Sequence, residues 1–291
     1  MKDRLIRMID KEGHFRAFAI DSHGLVEEAR RIHGTSPVVT AGLGRTLTAA
    51  AIMGAELKSE QETVSIQFKG DGPVGCIVAV SDNDSRVRGY VGEPLVDLPL
   101  KPNGKLNVSG SIGTGHLTVI RDLGMKEPYV GRVELQSGEI AEDIAYYYAT
   151  SQQTPSVVAL GVLVDRDYSV KAAGGYIVQL MPNCPEDIVS KLEENVAHMP
   201  TVTQILAEQH TLEDMMEKML QGFSYDITEE REPVYQCNCK RQRIERVLIS
   251  LGKKELLEMA REQNGAEVRC HFCNKMYQFS EEELRELVRK I

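Results

Sequence analysis

Cys237-Asn238-Cys239 and, thirty residues later, Cys270-His271-Phe272-Cys273 are the two stretches that organise this chain. They contain four of its six cysteines. Two tight cysteine pairs at this spacing are typical of a tetrahedral zinc site with four thiolate ligands. The sequence therefore predicts that these four cysteines bind one Zn²⁺ per chain.

The residues around the cysteines, 233–291, predict a small module of helices and a short hairpin. Gly252 and Gly265 end two helical patterns, and Ser280 with Glu283 forms a capping box for a third. A core of this size contributes only about 3–5 kcal/mol, whereas zinc binding to small structural sites contributes about 10–16 kcal/mol. We therefore expect the metal to decide whether the module folds.

Charge divides the 291-residue chain into three parts. Residues 1–180 have 19 basic and 22 acidic side chains, residues 181–232 have 3 and 12, and residues 233–291 have 12 and 9. The middle part accounts for most of the net charge of −9. No basic field extends over the chain as it does in proteins that neutralise nucleic-acid phosphates.

Residues 1–180 predict an α+β domain whose sheet is rich in antiparallel strands. The Gly70-Asp71-Gly72-Pro73 turn joins two apolar strands, and a second hairpin is predicted around residues 157–181. Ser36-Pro37 starts a long helix, to about residue 57, that is rich in small residues. Ser137 is predicted to cap a further helix that ends near residue 151. Consecutive hairpins favour helices segregated from the sheet.

Residues 181–232 predict a helical, amphipathic linker between this domain and the zinc module. Its most regular helix follows Thr211 and presents Met215, Met216 and Met219 on one stripe. Met-rich helical faces occur on surfaces that bind many apolar partners, and they also dock helices on a domain. Both interpretations stay open, and they are compatible if the docking is reversible. Residues 226–233 are charged and predict an exposed connection.

Several classes of protein are disfavoured. The charged N-terminus leads into no apolar segment typical of a secretory signal, and the least polar run, residues 46–57, is too short to span a bilayer. We therefore expect a cytoplasmic protein without a membrane partner, in which paired cysteines bind metal or do redox chemistry. Neither Gly104-Lys105 nor Gly252-Lys253 continues into a Walker A motif, and Asp21-Ser22-His23 is better read as a turn than as a triad. No enzymatic activity is predicted.

The cysteine site itself has two interpretations. It is either a permanent structural zinc site or a redox switch, because thiolates are the form of cysteine that oxidants attack and a disulfide does not bind zinc as two thiolates do. Basic residues close in sequence can offset the negative charge of four thiolates: Lys240, Arg241, Arg243, Arg269 and Lys275. His271 is expected to point away from the metal, and Cys76 and Cys184 lie outside the pattern.

Four further runs, taken with the cysteine arrangement, resemble the 33-kDa heat-shock family of redox-regulated chaperones. They are Phe68-Lys69-Gly70-Asp71-Gly72-Pro73, Arg88-Gly89-Tyr90-Val91, Gly115-His116-Leu117-Thr118-Val119 and Tyr129-Val130-Gly131. The resemblance runs through nearly the whole chain in the right order. It implies an N-terminal α+β domain, a helical linker and a C-terminal zinc redox switch. Gln152 departs from the family pattern, which has an acidic residue at that position.

The resemblance implies a function as well. It implies an ATP-independent holdase that is idle when reduced and zinc-bound, and that binds unfolding client proteins under oxidative stress, as a homodimer. By the family pattern, Cys237, Cys239, Cys270 and Cys273 bind the zinc, Cys270 and Cys273 form the first disulfide, and Cys237 and Cys239 then pair as the linker unfolds. Client binding would involve Met215, Met216 and Met219. The alternative from the residues is a constitutive zinc-ribbon protein that binds nucleic acid through its C-terminal basic cluster.

Overall fold

A computed structural model describes residues 2–262 and 265–291. The chain forms two compact units, of which the first extends to Gln236 and the second from Cys237 to Ile291. The strands of the first unit are β1 (Arg4–Asp10), β2 (Phe15–Asp21), β3 (Thr63–Gly70), β4 (Cys76–Asp82), β5 (Arg86–Val91), β6 (Gly115–Asp122), β7 (Tyr129–Glu134), β8 (Ser156–Val164), β9 (Val170–Leu180), β10 (Tyr225–Arg231) and β11 (Val234–Tyr235). Its helices are α1 (His23–His33), α2 (Pro37–Ala55), α3 (Val108–Ile112), α4 (Ala141–Ser151), α5 (Glu186–Ala197), α6 (Val202–Ala207) and α7 (Leu212–Met219).

The strands of the first unit form two sheets. One has five strands in the order β10-β1-β2-β9-β8, all antiparallel, and the other has six in the order β11-β5-β4-β3-β6-β7. Only the two-residue pairing of β11 with β5 is parallel within these sheets. The predicted hairpins correspond to β3–β4 and β8–β9. The predicted α+β class with an antiparallel-rich sheet is confirmed.

Helix α2 forms the centre of the first unit and packs on both sheets. The Ser36 side chain accepts a hydrogen bond from Val39 N, and Pro37 occupies the first turn, as predicted. Small residues bring the helix close to its neighbours, since a Cβ on Gly54 would lie only 2.3 Å from Ser81 Oγ. By length and composition α2 is apolar enough to cross a membrane, but 94% of that apolar window is buried inside the protein. It is therefore a core helix.

The predicted start of α4 is wrong. Ser137 does not cap this helix, which begins at Ala141 after Ile140, a residue with φ of 72°. The buried Asp143 carboxylate instead accepts hydrogen bonds from the backbone N–H groups of Gln136, Ser137 and Ile140. The carboxylate at the third helical position thus accepts hydrogen bonds from several backbone N–H groups. A serine at the N-cap would have accepted from only one of them.

The segment predicted as a linker, 181–232, lies within the first compact unit. The three predicted helices are present as α5, α6 and α7, and capping boxes at Thr201 and Thr211 start the last two. Most of residues 226–233 are exposed, as predicted, but they are not a connection, because Tyr225–Arg231 form β10, an edge strand paired with β1. Its charges form cross-strand ion pairs, such as Arg4 with Glu230 at 2.6 Å. The division into parts 1–180, 181–232 and 233–291 stays a prediction about function.

The second unit contains three helices and one hairpin within the residues that the structure describes. Its elements are α8 (Arg241–Leu251), α9 (Lys253–Glu262), β12 (Gly265–Arg269), β13 (Met276–Ser280) and α10 (Glu281–Arg289). Strands β12 and β13 pair in an antiparallel hairpin, and the predicted Ser280–Glu283 capping box starts α10. Its apolar cluster is small and is completed by the cysteines, of which Cys270 is buried.

Candidate metal centre

The two cysteine pairs are positioned by different local structures. Cys270 and Cys273 lie in the turn that joins β12 to β13, where Cys270 N donates to Lys275 O and Asn274 N donates to Cys270 O. Cys237 and Cys239 lie in the extended segment immediately before α8. Each pair is therefore set by a few neighbouring residues, and folding of the second unit brings the pairs together.

The geometry of the four sulfurs fits a single metal ion. They lie within 4.8 Å of one another, with Cys237 Sγ 3.7 Å from Cys270 Sγ and Cys239 Sγ 3.3 Å from Cys273 Sγ. A tetrahedron with Zn–S bonds of 2.3 Å has edges of about 3.8 Å. Four thiolates select soft or borderline cations, of which zinc is the commonest in such sites. The predicted ligand residues thus form a cluster that can hold a metal ion.

Tyr277 on β13 makes the four cysteines unequal. Its hydroxyl donates to Cys239 Sγ at 3.2 Å and lies 3.3 Å from Cys239 O. Burial raises the pKa of Cys239, but hydrogen bonds from Tyr277 and the neighbouring thiols outweigh it and lower that pKa to about 7. The same contact raises the pKa of Tyr277 to about 12. Nothing in the cysteine spacing pointed to Tyr277, and only its alternation with Phe279 placed it on the inner face of β13.

Cys237 and Cys273 differ from Cys239 in the direction of their pKa shifts. Burial is the main cause that raises the pKa of the Cys237 thiol well above its ordinary range. Burial likewise raises the pKa of Cys273 to about 11. Without a cation at the centre, burial and mutual repulsion disfavour four thiolates in one place. A metal cation reverses this preference, because its charge stabilises every thiolate that binds it.

Two of the basic residues predicted to offset the thiolate charge, Arg241 and Arg243, make other contacts. Arg241 lies 4.2 Å from the centre of the Phe279 ring and donates to Gln278 O and Glu283 Oε1. Arg243 donates to Asn238 Oδ1. These contacts tie the start of α8 to β13 and α10, so the arginines hold the metal-binding segments in place.

The remaining predicted positions lie outside the cluster. His271 is exposed and is not part of the metal-binding group, in line with its expected orientation away from the metal. Cys76 and Cys184 are half-buried free thiols in the first unit. Burial raises the pKa of Cys184, which makes it a poor thiolate at neutral pH.

The methionines predicted as a client surface are fully buried in the first unit. Met215, Met216 and Met219 on α7 each have 0% exposure. They pack on one face of the five-stranded sheet, against residues such as Met8 and Tyr176. The apolar face that these methionines form on α7 is therefore buried against the sheet.

Comparison with known proteins gives consistent matches. A family model described as "Hsp33 protein" matches residues 3–280. A 33 kDa chaperonin of Acetivibrio thermocellus is 49% identical over 291 residues, which cover all of this chain and 98% of that relative. A 33 kDa chaperonin of Clostridioides difficile is 48% identical over 292 residues and the full length of both proteins.

A solved structure agrees with the sequence matches. The crystal structure of the 33 kDa chaperonin (heat shock protein 33 homolog) of Thermotoga maritima superposes with a TM-score of 0.92 at 39% identity. The match covers 100% of this chain and 99% of that one. Sequence and fold thus point to the same group of proteins.

Proposed function

Because this chain belongs to the Hsp33 family of chaperones, we propose that it is a redox-regulated, ATP-independent holdase with no enzymatic activity of its own. Its clients are unfolding proteins of the cytoplasm, and its reduced, zinc-bound form is idle. The observation that carries the proposal is the cluster of four sulfurs within 4.8 Å in a unit with a small apolar core. Such a unit depends on its metal for its fold.

Bound Zn²⁺ supplies a cross-link between the extended segment before α8 and the β12–β13 turn. Oxidation removes the ligands that make this cross-link. The thiolates of Cys270 and Cys273 lose two electrons to a hydroperoxide and form a disulfide, while the hydroperoxide O–O bond breaks to give water and an alcohol or a second water after proton uptake. Cys237 and Cys239 then form the second disulfide in the same way.

The apolar face of the linker supplies the client surface in this proposal. In this proposal, unfolding of residues 233–291 is followed by unfolding of the linker, 181–232, which directly precedes them in the chain. Release of α7 would then expose Met215, Met216 and Met219 together with the sheet residues beneath them. Methionine side chains adapt to many apolar partners, as a holdase requires. The oxidised form is proposed to act as a homodimer, without nucleic acid or membrane.

A combined measurement tests the proposal. Treatment of the full-length protein with peroxide and mild heat should release about one zinc, consume about four thiols and switch on suppression of client aggregation without ATP. Replacing Cys184 with Ser is the matched control, because that thiol lies outside the cluster. The Cys184→Ser protein should lose the same number of thiols and become equally active.

Two results would argue against the proposal. Full activity of the reduced protein with its zinc retained would show that the site is not a switch. Salt-dependent binding to DNA or RNA that is insensitive to oxidant would favour the constitutive zinc-ribbon alternative.

A further inference from the structure

The strands at the ends of the two sheets protect their free edges in different ways. Strand β10 has charged residues along its length, and the edge strand β7 contains Arg132 and Glu134. Strand β11 is only two residues long. Charged residues and short length are devices by which edge strands avoid pairing with other chains.

Strand β8, at the remaining end, has neither device. It is nine residues long, Ser156–Val164, and its sequence contains no charged residue and no proline. It pairs with β9 alone. In the part of the chain that the structure describes, no other backbone group is hydrogen-bonded to residues 157–163. The free edge of β8 therefore presents a row of N–H and C=O groups that can pair with another extended segment.

A cavity of about 440 Å³ runs along this free edge. Residues 160–164 of β8 line it, and both sides of the strand take part, because Leu160 packs with the α2 core whereas Gly161 lies against α6. Leu100 and Lys105, in the loop that precedes α3, belong to a further wall. We call this cavity the β8 slot. Its volume lies within the range of ligand-binding pockets, about 300–1,000 Å³.

The lining of the β8 slot is largely apolar and carries positive charge. Leu106 and Leu163 are among its apolar residues. Of the residues that the structure describes, the lining includes two cationic side chains, Arg45 and Lys105, and no carboxylate. Arg45 is ion-paired with Glu139 at 2.8 Å, so Lys105 is the cation that remains for a partner. The slot therefore complements an apolar segment that carries a negative charge.

We propose that the β8 slot binds an extended, apolar peptide segment that contains an acidic residue, by strand addition to β8. The segment would belong to an unfolding client, so this inference rests on the proposed holdase function. In strand addition the main-chain hydrogen bonds provide affinity, and pockets for alternate side chains provide specificity. The five strand residues that line the slot extend about 17 Å, which matches a segment of about five residues.

The walls of the slot favour one extended segment over β8 of a second copy of the chain. A second β8 would bring the sheet and helices of its own copy towards the loop at Leu100 and towards α6, which line the slot. A single segment carries no such layers and needs only the spacing of one strand, about 4.8 Å.

Helix α6 connects the β8 slot to the linker. A Cβ on Gly161 would lie 2.7 Å from Thr203 Cγ2, so α6 lies directly on β8, and Thr201 at its start lines the slot. This helix belongs to residues 181–232, whose release is the proposed consequence of oxidation. Its departure would remove one wall and widen the slot. The oxidised protein should therefore bind such a segment more tightly than the reduced protein.

Fluorescence anisotropy with a labelled peptide tests the proposal directly. The probe is a seven-residue peptide of alternating valine and threonine that ends in glutamate, and it is titrated with the oxidised, full-length protein. Saturable binding is expected, about tenfold tighter than to the reduced protein. Leu163→Lys should weaken it about tenfold or more, because it places a charge on the edge strand that lines the slot. Val130→Lys is the matched control, since Val130 is an exposed valine on the edge strand β7, and it should leave the affinity unchanged.

A second variant leaves β8 itself unaltered. Leu100 lines the slot from the loop and is 59% exposed, so Leu100→Lys should weaken peptide binding while the reduced protein keeps its melting temperature. Replacing the glutamate of the peptide with glutamine should also weaken binding severalfold at low salt, because Lys105 then loses its partner.

Two N-methylated peptides distinguish strand addition from general apolar attraction. Alternate residues of an extended segment point their N–H groups to opposite edges, so methyl groups on every second nitrogen block one edge only. If the peptide pairs with β8 through one edge, one methylation pattern should weaken binding at least tenfold more than the other. Equal affinity of the two methylated peptides would overturn strand addition.

Other outcomes would also overturn the proposal. Among them are peptide affinity unchanged by Leu163→Lys and Leu100→Lys, or weakened equally by Val130→Lys. Another is a peptide that does not bind while Leu163→Lys converts an oxidised dimer into a monomer, which would assign the edge of β8 to a second copy. Suppression of client aggregation, measured on the same oxidised sample, separates the two proposals. A sample that suppresses aggregation but does not bind the peptide contradicts only the β8 slot, whereas one that does not suppress aggregation contradicts the holdase function itself.

Discussion

The two sides of the first unit's five-stranded sheet are covered in different ways. One side is covered mainly by α2, a single helix of 19 residues that is buried almost throughout between two sheets. The other is covered by α5, α6 and α7, which have 12, 6 and 8 residues and largely exposed outer faces. The first covering belongs to a core shared with the second sheet, whereas the second is a single layer.

From this difference we expect that one face of the sheet is exposed only by global unfolding, whereas the other can be exposed by local opening. Removing α2 would expose the centre of the unit, so it can leave only with global unfolding. Removing α5–α7 would leave the α2 core intact and expose only the apolar surface beneath them. Elements with few buried contacts and exposed outer faces open at a lower free energy than the whole protein. The comparison therefore predicts two classes of mutational effect.

The largest loss of stability is expected from a substitution in α2. Leu47 on α2 is fully buried, and Leu47→Ala should lower the free energy of global unfolding by about 3–5 kcal/mol through lost burial and a cavity. Urea denaturation followed by far-UV circular dichroism would measure it. Because the loss is global, amide exchange should accelerate in the most protected strands of both sheets. Acceleration confined to α5–α7 would contradict the division into two faces.

The second-largest loss of stability is expected from a substitution in α7, on the opposite face of the sheet. Met216 on α7 is fully buried, and Met216→Ala should cost about 2–4 kcal/mol. Here the cost should appear in local opening, with faster amide exchange in α5–α7, while α2, which exchanges through global unfolding, should lose protection by no more than the same free energy. Met181→Ala is the control, because Met181 is 41% exposed and should have little effect. Loss of protection in α2 without faster exchange in α5–α7 would contradict the division into two faces.

Features set by short stretches of sequence could be predicted. The cluster of four cysteines could be predicted because each cysteine pair is local, and capping signals at Ser36, Thr211 and Ser280 identified helix starts. Hairpins β3–β4 and β8–β9 followed from alternating residues around a turn. In each case the signal and the structure that it specifies lie within a few residues.

Features that depend on distant pairing could not be predicted. Strand β10 pairs with β1 across more than two hundred residues, and its charges made it resemble an exposed connection. Edge strands commonly have such charges, which discourage pairing with other chains. The Tyr277–Cys239 contact likewise requires the folded second unit.

A smaller effect is expected from the start of α7. The Thr211 side chain accepts a hydrogen bond from Asp214 N, and Asp214 accepts one from Thr211 N at 2.8 Å. Thr211→Ala should cost about 1 kcal/mol by removing this cap. We expect the loss in the local opening of α7, measured by amide exchange, with a shift of the global urea transition of no more than the same free energy. Thr211→Ser retains the hydroxyl and should restore protection.

The smallest loss of stability is expected from the ion pairs that join β1 to α7 and β10. Arg4 on β1 pairs with Glu213 on α7 at 2.8 Å and with Glu230 on β10 at 2.6 Å, so one side chain joins the sheet to both elements. All three side chains are more than a third exposed, so solvent screens both pairs, and the Arg4–Glu213 pair contributes about 0.2–1 kcal/mol. Arg4→Gln should therefore accelerate amide exchange in α7 and β10 only slightly at low salt.

A high salt concentration tests whether the effect of Arg4→Gln is electrostatic. At about 1 M ionic strength the screening length falls to about 3 Å, so the unaltered protein should lose most of the advantage that Arg4 provides. The difference between Arg4→Gln and the unaltered protein should then nearly vanish, whereas the Met216→Ala effect should persist because it comes from packing. Lys2→Gln is the control, since Lys2 is 83% exposed and pairs with Glu232 outside β10. An Arg4→Gln effect that persisted at high salt would mean that Arg4 acts through its aliphatic packing rather than its charge.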